Sequence, residues 1–171
     1  RAAAILGSLR GMMNLDKREK ERVELNRLIS EVVDLYQGKS IELKNNLQYH
    51  LPNMPVYVMA DSIQIQQVIM NLISNALQAM EKTSVKNKVI AITQTVDDGY
   101  VSVSVRDRGE GIAESIKEKI FKPFVTSRKE GSGIGLAISQ AIIDGHEGKI
   151  WAENMPDGGA KFTFKLKVAN D

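Results

Sequence analysis

The stretch SIQIQQVIMNLISNALQAM, residues 62–80, decides the fold of this chain, because its apolar residues recur at helical spacing throughout. It contains no charged residue, although Asp61 precedes it and Glu81 follows it. Eight of its nineteen residues are Ser, Gln or Asn, which favours a helix of a soluble protein over a membrane span. Asp61 or Ser62 is suited to cap the first turn of this helix.

One side of the predicted helix carries neutral amides. A projection at about 100° per residue collects them on a single stripe. The stripe consists of Gln64, Gln67, Asn71, Asn75 and Gln78. A stripe without charge favours contact with an anion or a metal ion, because a carboxylate would repel the first and a lysine the second. A plainly solvated face is the alternative interpretation at this point.

Upstream of residue 61 the pattern predicts helices and short extended segments. The segment DKREKER, residues 16–22, is interpreted as a solvated hinge. Pro52 and Pro55 separate the extended segments. The predicted elements are a helix over residues 1–15, a helix from Leu25 to Tyr36, and extended segments at Ile41–Leu51 and Val56–Ala60.

Downstream, the stretches VIAITQTV and YVSVSV flank Asp97-Asp98-Gly99, which predicts a hairpin. The remaining predicted elements are a short helix within residues 107–133, a helix from Gly135 to Asp144, and strands KIWAEN and AKFTFKLKV around a turn at Pro156–Gly159. The fold class is therefore α+β, a two-layer arrangement with a mostly antiparallel sheet under helices on one face. We expect residues 1–22 to be a helical appendage with its hinge, and residues 23–171 to be one domain.

The composition excludes several classes of function. The 171 residues include no cysteine, which excludes disulfides, thiolate catalysis and cysteine-ligated metal centres. The presence of only two histidines argues against a histidine-rich metal site. A formal charge of +2 and few aromatic residues argue against nucleic-acid binding. The first residues do not resemble a signal peptide, so the sequence predicts a cytoplasmic segment without membrane contact. The abrupt helical start indicates a fragment of a longer protein.

A second candidate site feature is the stretch VSVSVRDRGEGI, residues 101–112. Its alternation places Asp107 on the same face as a buried valine row, where a carboxylate needs a hydrogen-bond donor. Gly109 and Gly111 follow and allow the backbone to approach a flat ligand closely. An ordinary Asp–Gly turn is the alternative. A buried acid would suit a ligand that brings its own N–H donor, such as adenine.

A third feature is the stretch EGSGIGLAISQAI, in which Gly131, Gly133 and Gly135 alternate before a helix. Its backbone N–H groups and the helix N-terminus could receive phosphate oxygens. The loop follows no βαβ strand and lacks a Gly-Lys-Ser/Thr ending, so it supports neither a dinucleotide fold nor a Walker loop. The preceding stretch FKPFVTSRKE has Phe121 and Phe124, which could anchor a mobile segment or belong to the core. That segment carries Lys122, Arg128 and Lys129.

Together these features closely resemble the catalytic, ATP-binding domain of sensor histidine kinases, which has the Bergerat ATP-binding fold. Four motifs occur in the family's order and spacing across residues 23–168. They are Asn71-x-x-x-Asn75, Asp107-x-Gly109-x-Gly111, Phe121-x-Pro-Phe124 and Gly131-x-Gly133-x-Gly135-Leu136. The opening helix resembles the second helix of the family's dimerisation and phosphoacceptor hairpin.

The resemblance implies a role for each motif. Asn75 is expected to coordinate Mg²⁺ that bridges the ATP phosphates, and Asn71 to contact phosphate or bound water beside it. Asp107 is expected to accept from the adenine amino group. The further residues implied in nucleotide binding are Gly109, Gly111, Ile112, Phe121, Lys122, Phe124, Arg128, Lys129, Gly131, Ser132, Gly133, Ile134, Gly135 and Leu136.

The resemblance also implies the kind of reaction. Related gyrase, MutL and chaperone ATPases carry a water-activating glutamate at the position of Asn71, so this site is expected to hold ATP for a histidine nucleophile instead. His146, in DGHEGKI, matches a structural loop of the family, and His50 has no phosphoacceptor context. The acceptor histidine is therefore expected on an upstream segment.

The expected function is that of a protein histidine kinase, active as a homodimer in the full-length protein, which passes the phosphoryl group to the receiver domain of a response regulator. The alternatives are an ATPase or anti-sigma-like serine kinase of the same fold, and a pseudokinase scaffold that binds a regulator without turnover.

Overall fold

The computed structural model describes residues 19–38, 46–84, 87–126 and 132–170. Within these ranges the chain forms seven strands and four helices of at least four residues each. In chain order they are β1 Glu21–Glu24, α1 Leu25–Gln37, β2 Leu47–His50, β3 Tyr57–Ala60, α2 Ser62–Ala79, β4 Ile90–Asp97, β5 Tyr100–Arg106, α3 Glu114–Lys117, α4 Gly135–Gly145, β6 Lys149–Asn154 and β7 Ala160–Lys167. The helix predicted over residues 1–15 lies outside the described residues.

Five strands form the main sheet in the order β2-β4-β5-β7-β6. The β2–β4 pair is parallel, and the other three pairs are antiparallel. Asp98 and Gly99 join β4 to β5 with φ of 49° and 74°, the left-handed geometry of a two-residue hairpin turn. The predicted mostly antiparallel sheet and its hairpin are confirmed.

The core lies between this sheet and a layer of three helices. Helix α2 packs against both α1 and α4, and also contacts β4 and β5. The sheet presents its apolar rows to the helices through the alternation of β5, whose Val101, Val103 and Val105 are buried. On α2, Ile65, Ile69 and Ile73 are fully buried. Burial of each such side chain contributes roughly 1.5–3 kcal/mol to the free energy of unfolding.

Strand β1 was not predicted by the sequence analysis. The charge pattern places residues 21 and 22 in a solvated hinge, but Glu21–Glu24 pairs antiparallel with β3. Only Val23 of this strand is buried, so the strand has too short an apolar pattern to be recognised locally. The predicted boundary between residues 22 and 23 therefore falls inside a strand. Among the described residues the extended segments differ from their predicted bounds, since β2 is Leu47–His50 and β3 is Tyr57–Ala60. Residues 41–45 lie outside the described ranges.

The N-terminus of α2 is fixed by Asp61. Its Oδ1 accepts hydrogen bonds from the backbone N–H groups of Ile63, at 2.9 Å, and Gln64, at 3.2 Å. The prediction of a cap at residue 61 or 62 is thus confirmed for Asp61. Within the described ranges, no helix is both long and apolar enough to span a bilayer.

His146 connects this cap to the end of α4. The imidazole is 8% exposed, its Nε2 accepts from the backbone N–H of Asp61 at 3.0 Å, and its Nδ1 lies 2.7 Å from the carbonyl oxygen of Ile142. These partners require a neutral ring with the proton on Nδ1, which donates to Ile142. Burial is the main cause that lowers the pKa of His146 below its usual 6.5. The histidine is a structural link between two helices.

This environment predicts a pH dependence of stability. The folded protein holds His146 neutral, so the unfolded chain binds more protons as the pH falls below 6.5. The stability that His146 contributes is present above pH 6.5 and decreases as the pH falls toward its lowered folded pKa. Urea unfolding at pH 7.5 and 5.5 should show a smaller pH dependence for His146→Gln than for the unaltered chain. Exposed His50 supplies the matched control: a His50→Gln variant that flattened the dependence equally would contradict this assignment.

Candidate active site

A pocket of about 370 Å³ opens between α2, α4 and the loops that follow β5 and precede α4. Its wall brings together nine residues predicted from the sequence: Asn71, Asn75, Asp107, Gly111, Ile112, Ser132, Gly133, Gly135 and Leu136. The remaining wall residues carry no sequence signal that assigns them to the site, apart from Gln78 on the amide stripe. They are Ser74, Gln78, Ala79, Ile116, Ile120, Val125, Thr126, Ala160 and Phe162.

The C-terminal half of the amide stripe of α2 faces this pocket, since Asn71, Asn75 and Gln78 line it. Gln64 is buried, Gln67, Asn71 and Asn75 are partly buried, and Gln78 at the C-terminal end is exposed. The alternative of a plainly solvated stripe is therefore wrong. Neutral amides are tolerated here because each can be both donor and acceptor inside a partly closed site.

Asn71 is held by the first turns of α4. Its Nδ2 lies 3.1 Å from the carbonyl oxygen of Gly135 and 3.2 Å from Oγ of Ser139. Ser139 is fully buried, and its hydroxyl donates to the same Gly135 carbonyl at 3.0 Å. The two Nδ2 hydrogens of Asn71 are thereby directed at α4, which leaves Oδ1 as the atom that can serve the pocket. The amide oxygen can accept a hydrogen bond from water or coordinate a cation, but it repels phosphate oxygens.

Asn75 lies one helical turn further along the same stripe. Its Nδ2 is buried and has no hydrogen-bond partner among the described residues. An unpaired amide in a pocket costs free energy, which is recovered when a bound group supplies the missing partner. Rotation of the amide exchanges its oxygen and nitrogen, so Asn75 can offer an oxygen to a cation or a donor to an anion. Asn75 therefore fits a metal–phosphate ligand.

Asp107 occupies the other end of the pocket, directly after β5. It is 1% exposed, and its Oδ1 accepts from the backbone N–H groups of Gly109, at 2.8 Å, and Ala160, at 3.3 Å. Its own N–H donates to the carbonyl of Ala160, which continues the β5–β7 pairing by one residue. The buried carboxylate thus has the donors that its position requires. Apolar wall residues Ile112 and Phe162 accompany it.

Gly109 does not line the pocket but sets the position of this loop. A Cβ atom at Gly109 would lie 2.4 Å from the carbonyl oxygen of Ala79, a backbone atom at the end of α2. Any larger residue would push the loop away from the helix. Gly109 therefore lets the loop carrying Asp107 pack directly on α2.

The two ends of the pocket differ in chemistry. Asn71 contacts α4 at one end, and Ala79 contacts the Asp107 loop at the other. Asn71 and Ala79 are eight positions apart, which is about 12 Å along the α2 axis. One end offers amide groups and the start of a helix, and the other offers a buried acceptor beside apolar side chains. This arrangement suits an elongated ligand with an anionic end and a flat end that donates a hydrogen bond.

The residues of the FKPF stretch are divided by the structure. Phe121 packs edge-to-face on the wall residue Phe162, with ring centroids 6.5 Å apart, so it supports the pocket from behind. Phe124 is 65% exposed and has φ of 65°, so the alternative that both rings belong to the core is wrong for Phe124. Lys122 is exposed and Ile134 is buried, and neither residue lines the pocket. Arg128, Lys129 and Gly131 lie outside the described residues.

Comparisons with known proteins agree with this geometry. Residues 60–170 match the family described as histidine kinase-, DNA gyrase B-, and HSP90-like ATPase. The chain is 36% identical to the sensor protein FixL of Bradyrhizobium diazoefficiens over 171 residues, and 35% identical to the signal transduction histidine-protein kinase AtoS of Escherichia coli over 148 residues. It covers 34% of the first protein and 24% of the second, so it spans about a third or less of these relatives.

The chain is also similar to solved structures of histidine kinases. The nucleotide-free catalytic domain of the histidine kinase ThkA is 39% identical, with a TM-score of 0.76 over 88% of this chain and 96% of that domain. A structure of ThkA in complex with the response regulator protein TrrA is 34% identical, with a TM-score of 0.77 over 98% of this chain and 48% of that one. The chain belongs to the histidine kinase-, DNA gyrase B- and HSP90-like ATPase family, and within it to the ATP-binding catalytic domains of histidine kinases.

Proposed function

We propose that the pocket holds Mg²⁺-ATP. The γ-phosphoryl group of this ATP is transferred to a histidine on another segment of the full-length protein. The observation that carries the proposal is the polarity of the pocket, with Asn71 and Asn75 at one end and buried Asp107 at the other. Adenine supplies the N–H donor that suits Asp107, and the triphosphate meets the amide end. Mg²⁺ suits that end because it takes few protein oxygens and retains water and phosphate ligands.

The chain's own residues position the reactants. Asn75 would hold the metal, and Oδ1 of Asn71, oriented by Gly135 and Ser139, would accept from a water on it. The metal, when bound, neutralises charge on the phosphates. In the transfer, the lone pair of the unprotonated imidazole nitrogen bonds to the γ-phosphorus, and the bond to the β–γ bridging oxygen breaks so that ADP leaves. The other ring nitrogen then releases its proton. We propose that Arg128, Lys129 and the glycine loop around Gly131 contact the phosphates.

A histidine kinase is favoured over a hydrolytic ATPase by the surroundings of Asn71. An amide cannot act as the general base that activates water, and its nitrogen is already engaged with α4. The phosphoryl group would then pass to the receiver domain of a response regulator, consistent with the complex solved for ThkA. We further propose a cytoplasmic site of action and a homodimeric full-length protein. A scaffold without turnover is disfavoured because the pocket retains both the amide groups and the buried acid that would hold Mg²⁺-ATP.

Thermal unfolding tests the nucleotide site. Mg²⁺-ATP at about a hundred times its Kd adds roughly 2.7 kcal/mol to the free energy of unfolding, which raises the Tm of a domain of this size by about 5–10 °C. Phosphate release measured in the same solution should remain slow. Rapid hydrolysis would favour the ATPase alternative, and an unchanged Tm would exclude nucleotide binding by this chain.

A further inference from the structure

Asn154, the last residue of β6, makes two hydrogen bonds to the loop that follows Asp107. Its Oδ1 accepts from the backbone N–H of Ile112 at 2.7 Å, and its Nδ2 donates to the carbonyl oxygen of Ile112 at 2.8 Å. Both polar groups of one side chain thus engage both polar groups of one backbone residue 42 positions away. The bonds fix the peptide units on either side of Ile112, as a neighbouring strand would.

Close packing holds the first part of this loop, and Asn154 holds the part that follows. A Cβ at Gly111 would lie 3.0 Å from Oδ1 of Asn154, so the amide lies directly against the loop backbone. A Cβ at Gly159 would lie 2.1 Å from the carbonyl oxygen of Asp107, so the β6–β7 turn packs equally close beside that acid. Residues 107–109 are therefore held between the end of α2 and the β6–β7 turn, whereas Ile112, further along the loop, is held by Asn154.

Asn154 itself is solvent-exposed and belongs neither to the core nor to the pocket wall. Ile112, by contrast, is 8% exposed and lines the pocket with Gly111 and Asp107. The two hydrogen bonds between Asn154 and Ile112, which we call the clamp, therefore act on the shape of the Asp107 end of the pocket from outside the pocket. Loss of the clamp would allow water to replace two hydrogen bonds and would let the loop move.

We propose that Asn154 is a positioning residue for nucleotide binding, which holds Ile112 in place against the base. This inference rests on the proposed function, because it assigns the base to the Asp107 end. The clamp lies away from the amide end, so it supports binding of any adenine nucleotide regardless of its phosphates. It raises affinity without contributing to the transfer step, since it acts equally on bound ATP and on the transition state.

Calorimetric titration of ATP and ADP into the 171-residue chain and its variants tests the inference. Asn154→Ala is expected to weaken both nucleotides about tenfold, because two hydrogen bonds that pre-order the loop are lost. Asn154→Asp is isosteric and removes only the donated bond, but it places an oxygen against the Ile112 carbonyl and should weaken both nucleotides to a similar degree. Glu153→Ala is the matched control, since this exposed neighbour pairs with Lys161 and should leave both affinities unchanged.

Kinetics of the full-length kinase separate positioning from general destabilisation. For Asn154→Ala the KM for ATP should rise about tenfold while kcat stays unchanged, whereas partial unfolding would lower the active fraction and hence kcat. Wild-type affinity in both Asn154 variants would overturn the clamp, as would a loss confined to ATP with ADP unaffected. No ATP binding by the unaltered chain would overturn the proposed function and this inference together.

Discussion

The Asn75→Asp variant is expected to lose phosphoryl transfer by at least about a hundredfold while the fold is retained, the scale of loss seen when one group that stabilises a transition state is removed. The exchange preserves the size of the side chain but replaces a neutral amide with a carboxylate. A carboxylate at this position repels the triphosphate and changes the ligand field of the metal. The buried Nδ2 of Asn75, which lacks a partner among the described residues, marks this as the place where a bound group is needed.

The control for Asn75→Asp is Gln66→Glu. Gln66 lies on the same helix, is partly exposed and does not line the pocket, so the same amide-to-acid exchange should leave transfer close to normal. Transfer to the acceptor histidine in the full-length kinase is the measurement, with circular dichroism and Tm as evidence of folding. Near-normal transfer by Asn75→Asp would remove Asn75 from the metal site.

The Asp107→Asn variant is expected to lose ATP affinity by about a hundredfold or more, since a buried polar site discriminates strongly against a ligand that leaves its groups unpaired. The N–H groups of Gly109 and Ala160 require an acceptor, so the amide oxygen should remain on Oδ1's side. The new Nδ2 would then face the amino group of adenine, and two donors would meet. Guanine presents a carbonyl oxygen at that position and should be the better ligand of the variant.

Titration of both nucleotides into both proteins checks this exchange of preference. The unaltered chain should bind ATP well and GTP poorly, and Asp107→Asn should narrow or reverse that ratio. Asp157→Asn provides a control, because exposed Asp157 pairs with Arg106 outside the pocket and should not affect the ratio. Equal binding of ATP and GTP by the unaltered chain would count against the role of Asp107.

Local sequence patterns predicted most of the fold. The uncharged run of α2, its Asp61 cap and the Asp98-Gly99 turn depend on neighbours in the chain, and each was found where the pattern indicated. Strand β1 was missed because its identity comes from pairing with β3, more than thirty residues away. The parallel alignment of β2 with β4 likewise depends on a distant partner and leaves no local signal.

The residues of the candidate site likewise divide into those with a local sequence signal and those that depend on a distant partner. Asn71, Asn75 and Asp107 were predicted because motifs preserve their order and spacing. Ser139 and Asn154 were missed, since each acts on a residue 68 or 42 positions away and belongs to no motif. Phe124 shows the opposite error: an aromatic residue predicts an anchor or a core residue, but Phe124 is 65% exposed and has a left-handed φ of 65°.

The destination of the γ-phosphoryl group decides whether this chain serves a histidine kinase. The 171-residue chain incubated with γ-labelled Mg²⁺-ATP should acquire almost no acid-labile label, because His146 is buried between two helices and His50 lies on β2 without a neighbouring acid arranged to activate it among the described residues. Addition of the kinase's own phosphoacceptor hairpin should place label on that partner, weakly because the reaction has become bimolecular. Strong labelling of the chain alone that His146→Gln abolishes, with ATP binding unchanged, would contradict the account.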